Sequence, residues 1–136
     1  MGIITDSDSI KIGKTIMDRQ QLFEWVKQQY GTEPEYPWND WNAVLRHKEN
    51  EKWYGLVMEV SLDKFGLNSE AMVDVLNVKC DPILNGSLRT QPGFFPAYHM
   101  NKDKWISILL NGSAPEDEIK NLLALSYELT GKKKKH

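Results

Sequence analysis

The stretch that decides the fold covers residues 77–113 and reads NVKCDPILNGSLRTQPGFFPAYHMNKDKWISILLNGS. Residues 77–80 and 105–110 alternate polar and apolar side chains, which predicts two half-buried strands. Between them, Asp81-Pro82 predicts the start of a short helix, because Asp is a good N-cap and Pro a good first residue. Residues 91–98 (QPGFFPAY) contain too much Pro for a helix and predict an extended crossing to the second strand.

Upstream of this stretch, the pattern predicts one helix and three strands. Asp18 and Gln21 have capping-box spacing, and apolar residues at intervals of three and four indicate a helix over residues 18–30 that Gly31 ends. Residues 43–48, 53–62 and 72–80 predict strands, with a polar hairpin turn at residues 49–52. In the second strand, five side chains are expected to share one face: Tyr54, Leu56, Met58, Val60 and Leu62.

The connection at residues 33–41 (EPEYPWNDW) is rich in Pro and aromatic residues and cannot be a regular helix. Such a loop either closes one end of the core or presents Trp38 and Trp41 to a ligand. We expect it to close the core, because large aromatic side chains contribute much buried apolar area.

Downstream, the sequence predicts a final helix that Ser113 and Glu116 begin with capping-box spacing and that Gly131 ends. Its buried stripe is expected to consist of Ile119, Leu122, Leu123, Ser126 and Leu129. The order helix, three-stranded meander, short helix, strand and helix predicts an α+β two-layer sandwich, with helices packed on one face of an antiparallel sheet.

The other face of this sheet is expected to be open to water. In the third strand, Val78 and Cys80 point one way and Lys79 points the other. A lysine would be costly beneath a second layer of helices. The position of Lys79 therefore favours a single helical layer.

The 136 residues allow one domain, which we place at residues 16–131, between a flexible N-terminal segment at residues 1–15 and a basic tail at residues 132–136. The formal net charge is −2, and removing the four lysines at 132–135 leaves about −6. A chain this acidic is not a general polyanion binder, so a nucleic-acid site would need a local basic patch. We expect the tail to be solvated; an affinity tail is the alternative.

Three features predict a cytoplasmic protein that does not enter membranes. No apolar run approaches the length of a membrane span, and the N-terminal residues lack a basic region followed by an apolar one. The single cysteine, Cys80, excludes an internal disulfide, which fits a reducing compartment. Because exposed apolar runs are few, we expect a monomer.

With NVKCDP at residues 77–82, PG at 92–93, PAYHMNK at 96–102 and Trp105, the chain resembles the MmcQ/YjbR family over about residues 18–130. The resemblance implies a CyaY-like, frataxin-related fold and binding to DNA. One departure is Ala97, where the family commonly has Gly. Frataxins carry a dense acidic face on the first helix, whereas only Asp18 and Glu24 lie on the first helix here, so we expect no iron site.

The sequence assigns no catalytic residue, cofactor site or metal site. Cys80 with His99 could be imagined as a nucleophile and its base, but Cys80 shares strand parity with Val78, which predicts a buried and inert thiol. The spacing of Cys80 relative to the histidines matches no zinc motif. We also find no nucleophile elbow, dinucleotide fingerprint or paired carboxylates.

The first functional hypothesis is a nucleic-acid-binding face, since bases stack on exposed aromatic rings while ammonium groups neutralise phosphates. Its residues lie on outward strand positions, in the crossing and in the first hairpin: Lys79, His99, Asn101, Lys102, Trp105, Arg46, Lys48 and Lys52. The competing interpretation is structural: Trp105 would cover Lys79 in a cation–π contact, and His99 and Asn101 would satisfy the backbone of the crossing.

The second hypothesis is a non-catalytic adaptor for a small molecule or a protein partner. Pro, Phe, Tyr and His are clustered at residues 92–99 of an otherwise simple scaffold. A pocket is therefore predicted where this crossing meets the sheet.

Overall fold

The computed structural model describes residues 17–131. Within these residues the helices are α1 (Arg19–Tyr30), α2 (Pro82–Leu88) and α3 (Glu116–Thr130), and a short 3-10 turn spans Leu62–Phe65. The strands are β1 (Ala43–Arg46), β2 (Trp53–Ser61), β3 (Met72–Lys79), β4 (Phe94–Pro96) and β5 (Trp105–Leu109). The predictions for the N-terminal segment at residues 1–15 and for the tail at residues 132–136 lie outside the described residues.

The five strands form one antiparallel sheet in the order β1-β2-β3-β5-β4. The helices cover one face of it, and the main core lies between the two layers, where Val26 and Leu123 from the helices meet Val57, Leu76 and Ile106 from the strands. The predicted α+β two-layer sandwich is thus confirmed. In the part of the chain that the structure describes, no helix is long and apolar enough to cross a membrane.

Local capping chemistry sets two of the helix starts as predicted. The Asp18 carboxylate accepts the Gln21 backbone N–H at 2.9 Å, and the Gln21 side chain accepts the Asp18 N–H at 3.4 Å. Asp81 caps α2 by accepting the Ile83 N–H at 2.7 Å. The predicted capping box at Ser113 is wrong, because its hydroxyl donates to Asn111 at 2.6 Å and α3 begins only after Pro115.

A β-bulge alters the predicted faces of β2. Leu45 pairs with Gly55 and Arg46 with Trp53, so Tyr54 is an extra residue on β2. The bulge turns Tyr54 to the helix side, where Val57 also lies. The expectation that Tyr54 shares a face with Met58 and Val60 is therefore wrong, since those two residues belong to a separate cluster.

The face away from the helices, here called the second face, is only partly open. Its apolar cluster centres on Val60, Val73, Val75 and Leu109, with Phe95 and Tyr98 packed against it. Asn77 and Ser107 also lie on this face, yet each is 0% exposed. The Asn77 amide donates to the Tyr98 carbonyl at 3.0 Å, and the Tyr98 N–H donates to the Ser107 hydroxyl at 2.9 Å. The crossing therefore covers the middle of a face that we expected to be open.

The aromatic loop after α1 does not close the core as we expected. Its aromatic side chains are exposed, Tyr36 by 40%, Trp38 by 47% and Trp41 by 54%. The physical reason is that the loop runs along the outer edge of the sheet, where Glu35 forms a backbone bridge with Val44 of β1. The rings are thereby held beside the sheet and not beneath it.

Candidate functional site

Lys79 and Trp105 end up side by side on the second face. They are directly opposed in the β3–β5 pairing, and directly opposed residues share a face. Lys79 follows the core residue Val78, and Trp105 precedes the core residue Ile106. Because successive side chains of a strand face opposite sides, Lys79 and Trp105 point away from the helices. Both side chains are half-buried. In the described part of the chain both cation–π contacts are made by Arg19, so the predicted cation–π contact between Lys79 and Trp105 is not formed.

A second pair of the same composition lies at the same end of the sheet. Arg46 and Trp53 are directly opposed in the β1–β2 pairing, and Arg46 follows the core residue Leu45. They therefore lie on the second face, within about one residue of the level of Lys79. We call these four residues the Trp–Lys row: Arg46, Trp53, Lys79 and Trp105. Basic and aromatic side chains alternate across four neighbouring strands in this row.

The crossing places Tyr98, the residue before His99, above the part of the second face that adjoins this row. Tyr98 is held above Asn77 and Ser107, which occupy the positions before Lys79 and after Trp105 on the same face. His99 follows with φ 59°, a left-handed conformation that non-glycine residues rarely adopt. Its side chain is exposed, and its ring centroid lies 4.0 Å from that of Tyr98. A strained backbone that presents an exposed imidazole is typical of functional surfaces.

Asn101 and Lys102 serve the loop itself. The Asn101 side-chain oxygen accepts the backbone N–H groups of Asp103 and Lys104 at 2.9 and 3.1 Å. The Lys102 ammonium donates to the Ala97 carbonyl at 2.7 Å. Ala97 is not among the residues with positive φ, so Ala fits where the family commonly has Gly. The predicted structural use of Asn101 is thus observed, and Lys102 has a similar use.

The three basic residues of the first hairpin are separated by the structure. The Arg46 guanidinium forms an ion pair with Glu35 at 3.2 Å and donates to the Glu51 carbonyl at 3.1 Å. Lys48 lies on the helix side, with its ammonium beside Gly31 at the end of α1. Lys52 is exposed at the start of β2. Of the hairpin residues, Arg46 therefore lies on the second face and Lys48 does not.

Cys80 and His99 cannot act together, because they lie on opposite sides of the sheet. Cys80 is 2% exposed in the main core. Burial, together with the nearby Asp81 charge, raises the pKa of its thiol to about 11. The thiol is therefore protonated and inert at neutral pH, as the strand parity predicted. Among residues 17–131, no group of three His, Cys, Asp or Glu side chains is arranged to hold a metal ion.

A groove lies mainly on the helix side of the first hairpin and extends around its outer edge to Arg46. It consists of two cavities of about 540 and 490 Å³ that share the lining residues Thr32, Arg46, His47 and Lys48. Neither cavity includes a residue from 92–99, where we predicted a pocket. His47 was missed as a lining residue, although its parity with Leu45 in the first strand could have placed it on the helix side.

The side chains beneath this groove are fully engaged with one another. The His47 Nε2 lies 2.9 Å from the Thr130 hydroxyl, which donates to the Ser126 carbonyl at 2.7 Å. His47 must therefore be the donor in the first of these bonds. The Tyr54 hydroxyl donates to Thr32 at 2.6 Å, and burial raises the pKa of Tyr54 far above its usual range. These phenol and imidazole groups tie α1, β2 and α3 together.

The comparisons with known proteins agree with this architecture. The model of the YjbR family matches residues 27–129. Over 117 residues the chain is 45% identical to "Uncharacterized protein YyaQ" of Bacillus subtilis (strain 168), covering 85% of this chain and 99% of that protein.

Two solved structures are also similar. A crystal structure of a Pseudomonas syringae protein has a TM-score of 0.82 at 45% identity, covering 85% of this chain and 100% of that one. The crystal structure of Deinococcus radiodurans protein DR2400, of domain DUF419, has a TM-score of 0.66 at 24% identity over 88% of this chain and 83% of that one, which shows the fold alone. The predicted resemblance is confirmed: the chain belongs to the YjbR family.

Proposed function

We propose that this protein binds nucleic acid through the second face at the end of the sheet where the Trp–Lys row lies. The observation that carries the proposal is the direct pairing of Lys79 with Trp105 and of Arg46 with Trp53 on one face. Indole rings offer stacking surfaces to bases, and ammonium groups offer charge to phosphates. The row places both kinds of group within reach of one nucleic-acid strand.

The phosphate contacts fall mainly to Lys79 and Lys52. Arg46 has its charge offset by Glu35 at 3.2 Å, and the Lys102 ammonium is engaged by the Ala97 carbonyl at 2.7 Å. In contrast, Lys79 and Lys52 make no ion pair within residues 17–131. The formal net charge of the chain is −2, so the chain as a whole does not attract phosphate groups, and the attraction would come from this local basic patch.

Fluorescence anisotropy with a labelled DNA oligonucleotide, titrated at several salt concentrations, tests the proposal. Binding should weaken steeply with salt, because phosphate contacts release counterions, and Lys79→Ala should reduce the slope of log K against log salt by about 1. Lys64→Ala is the matched control, since Lys64 is exposed in the 3-10 turn at the opposite end of β2. Salt-insensitive binding, or equal affinity after Lys79→Ala plus Lys52→Ala, would overturn it.

A second candidate, a non-catalytic small-molecule adaptor, is favoured by the groove on the helix side. Carboxylates of Glu33 and Glu51 and the cationic groups of Arg46 and Lys48 line one cavity. This mixture suits a small zwitterion such as an amino acid. A thermal-shift screen of the standard amino acids should raise the Tm for at least one of them, and Lys48→Ala should abolish that shift. A uniform absence of shifts would remove this candidate.

A further inference from the structure

We infer that the nucleic acid held by this face is single-stranded, and that Trp53 and Trp38 form a stacking site for its bases beside Trp105. The inference rests on the proposed function, because it names the form of the ligand and adds residues to the same site. Neither Trp38 nor Trp53 is among the residues that the sequence assigned to the nucleic-acid-binding face.

The spacing of the two indoles within the Trp–Lys row supports a single strand. Trp53 and Trp105 lie on strands two apart, and strands are about 4.8 Å apart, so their backbones are about 10 Å apart. Successive bases in a duplex are only about 3.4 Å apart along each strand. A strand with unstacked bases can place one base on each indole, with the intervening phosphate at Lys79 on the strand between them.

The orientation of an indole face supports the same conclusion. In a duplex, the flat faces of the bases are covered by their neighbours, and only base edges are accessible in the grooves. An indole can stack on a base only where that base is unstacked, as in single strands. The two indoles of the row therefore cannot stack on the bases of a continuous duplex, which the row would bind mainly through charge.

Trp38 adds a third indole beside Trp53 of the row. Its ring meets Trp53 edge to face, with the centroids 5.8 Å apart and the planes at 85°. Because Trp38 is 47% exposed, the two rings form an accessible corner in which a base could stack on one indole and abut the other. Trp41, in the same loop, instead covers the Arg19 guanidinium at 4.5 Å and is 54% exposed. Trp41 thus serves as a control for Trp38, because it is an indole of similar exposure that lies outside the row.

Competition binding of the full chain tests the inference. A labelled 15-nucleotide oligo(dT) is displaced by unlabelled oligo(dT) or by a fully paired, blunt-ended DNA duplex with the same number of phosphates. We expect the single strand to compete at least roughly 10-fold better, and Trp38→Ala to weaken its binding roughly 5- to 100-fold, the range for loss of one base stack. Trp41→Ala should leave the affinity unchanged. Trp53→Phe, which keeps an aromatic ring in the sheet, should give a smaller loss than Trp38→Ala.

The outcomes separate this inference from the function on which it rests. Equal competition by duplex and single strand, with affinity still dependent on Lys79, would leave the proposed function standing and overturn the inference. Preferential single-strand binding that Trp38→Ala and Trp53→Phe do not change would also overturn it. Binding of neither ligand at low salt would overturn the proposed function itself.

Discussion

The two sides of the sheet differ sharply at the end where β2 begins and β3 ends. On the helix side, Tyr54, His47 and Thr130 are buried. His47 is hydrogen-bonded to the Thr130 hydroxyl, which donates to the Ser126 carbonyl, and the Tyr54 hydroxyl donates to Thr32. On the second face, the side chains of Lys79 and Trp105 are half-buried and take part in none of these bonds. The hydrogen bonds on the helix side hold the helices to the sheet, whereas the second face leaves the charge of Lys79 and the ring of Trp105 available for binding.

The backbone of Lys79 is bonded to the helix side, whereas its side chain lies on the second face, so one residue takes part in both folding and the proposed binding. Its backbone N–H donates to the Ser126 hydroxyl of α3 at 2.9 Å, and that hydroxyl donates to the Tyr54 carbonyl at 2.7 Å. A helix side chain thus bridges β2 and β3 just beyond the last pair of their ladder, Gly55 and Val78. The Lys79 side chain meanwhile points to the opposite face. Changes to the backbone bridge should therefore affect stability, and changes to the ammonium should affect binding.

The largest effect is expected from Ser126→Ala. This substitution leaves the Lys79 N–H and the Tyr54 carbonyl without their partner, and buried groups left unpaired cost about 1–3 kcal/mol each. We expect the free energy of unfolding, measured by urea denaturation, to fall by about 3 kcal/mol. Ser87→Ala, at an exposed position in α2, is the control and should change it by less than about 0.5 kcal/mol. Equal stability of the two variants would contradict the bridging role.

The next effect concerns alkaline stability. The pKa of the Cys80 thiol is raised to about 11 in the folded protein, so the unfolded chain loses this proton at lower pH than the folded chain. The contribution of the protonated thiol to the free energy of unfolding is therefore fully present at neutral pH. It declines as pH rises from about 9 to 11, by about 2 kcal/mol at the upper end. Cys80→Ala should flatten this part of the profile in urea denaturation at each pH. The remaining decline reflects Tyr30 and Tyr54, whose pKa values are also raised by burial. A profile that Cys80→Ala leaves unchanged would show that the thiol is not buried as described.

A smaller effect, of opposite sign, is expected at α2. Gly86 lies inside this helix, and a Cβ there would meet no atom within 4 Å. Gly86→Ala should raise the free energy of unfolding by about 0.5–1 kcal/mol, because it removes the excess backbone freedom of glycine in the unfolded chain. Gly93→Ala is the contrasting variant, since its φ is 88° and its Cβ would lie 2.8 Å from the Ser113 hydroxyl oxygen. A destabilised Gly86→Ala protein would mean that α2 is distorted at this position.

The smallest effect on stability is expected from Lys79→Ala. The substituted residue keeps the backbone N–H that Ser126 accepts, so the free energy of unfolding should change by less than about 0.5 kcal/mol. Affinity for DNA should nevertheless fall, which separates binding from folding at a single residue. Thermal unfolding of Lys79→Ala and of Lys64→Ala, run in parallel, checks this. A large loss of stability in Lys79→Ala alone would indicate a structural use of the ammonium and would weaken the proposed function.

Features that depend on neighbouring residues in the chain were predictable from the sequence. The Asp18 and Asp81 caps, the Gly31 stop and the strand parity of Lys79 and Cys80 all follow from local hydrogen bonding and from the two-residue period of a strand. The spacing NVKCDP and PAYHMNK also carried the family resemblance. These elements suffice for the fold class.

Features that depend on distant residues were not predictable. The Tyr54 carbonyl at the bulge is bonded by Ser126, 72 residues away, and the local sequence offers only the strand glycine Gly55 as a signal of it. The exposure of Trp38 follows from the bridge that holds Glu35 at the sheet edge. Because the bulge decides which face Trp53 occupies beside Arg46, this indole could not be assigned to the candidate site from strand alternation alone.

Binding through the second face is best tested by an amide-shift NMR titration of the full chain with short single- and double-stranded DNA at two salt concentrations. We expect shifts at Lys79, at Trp105 and at the indole N–H of Trp53 that fade as salt is raised, while Thr32, beneath the helix-side groove, stays unchanged. An absence of shifts at low salt, or shifts confined to the groove around Thr32 and His47, would contradict binding through the second face.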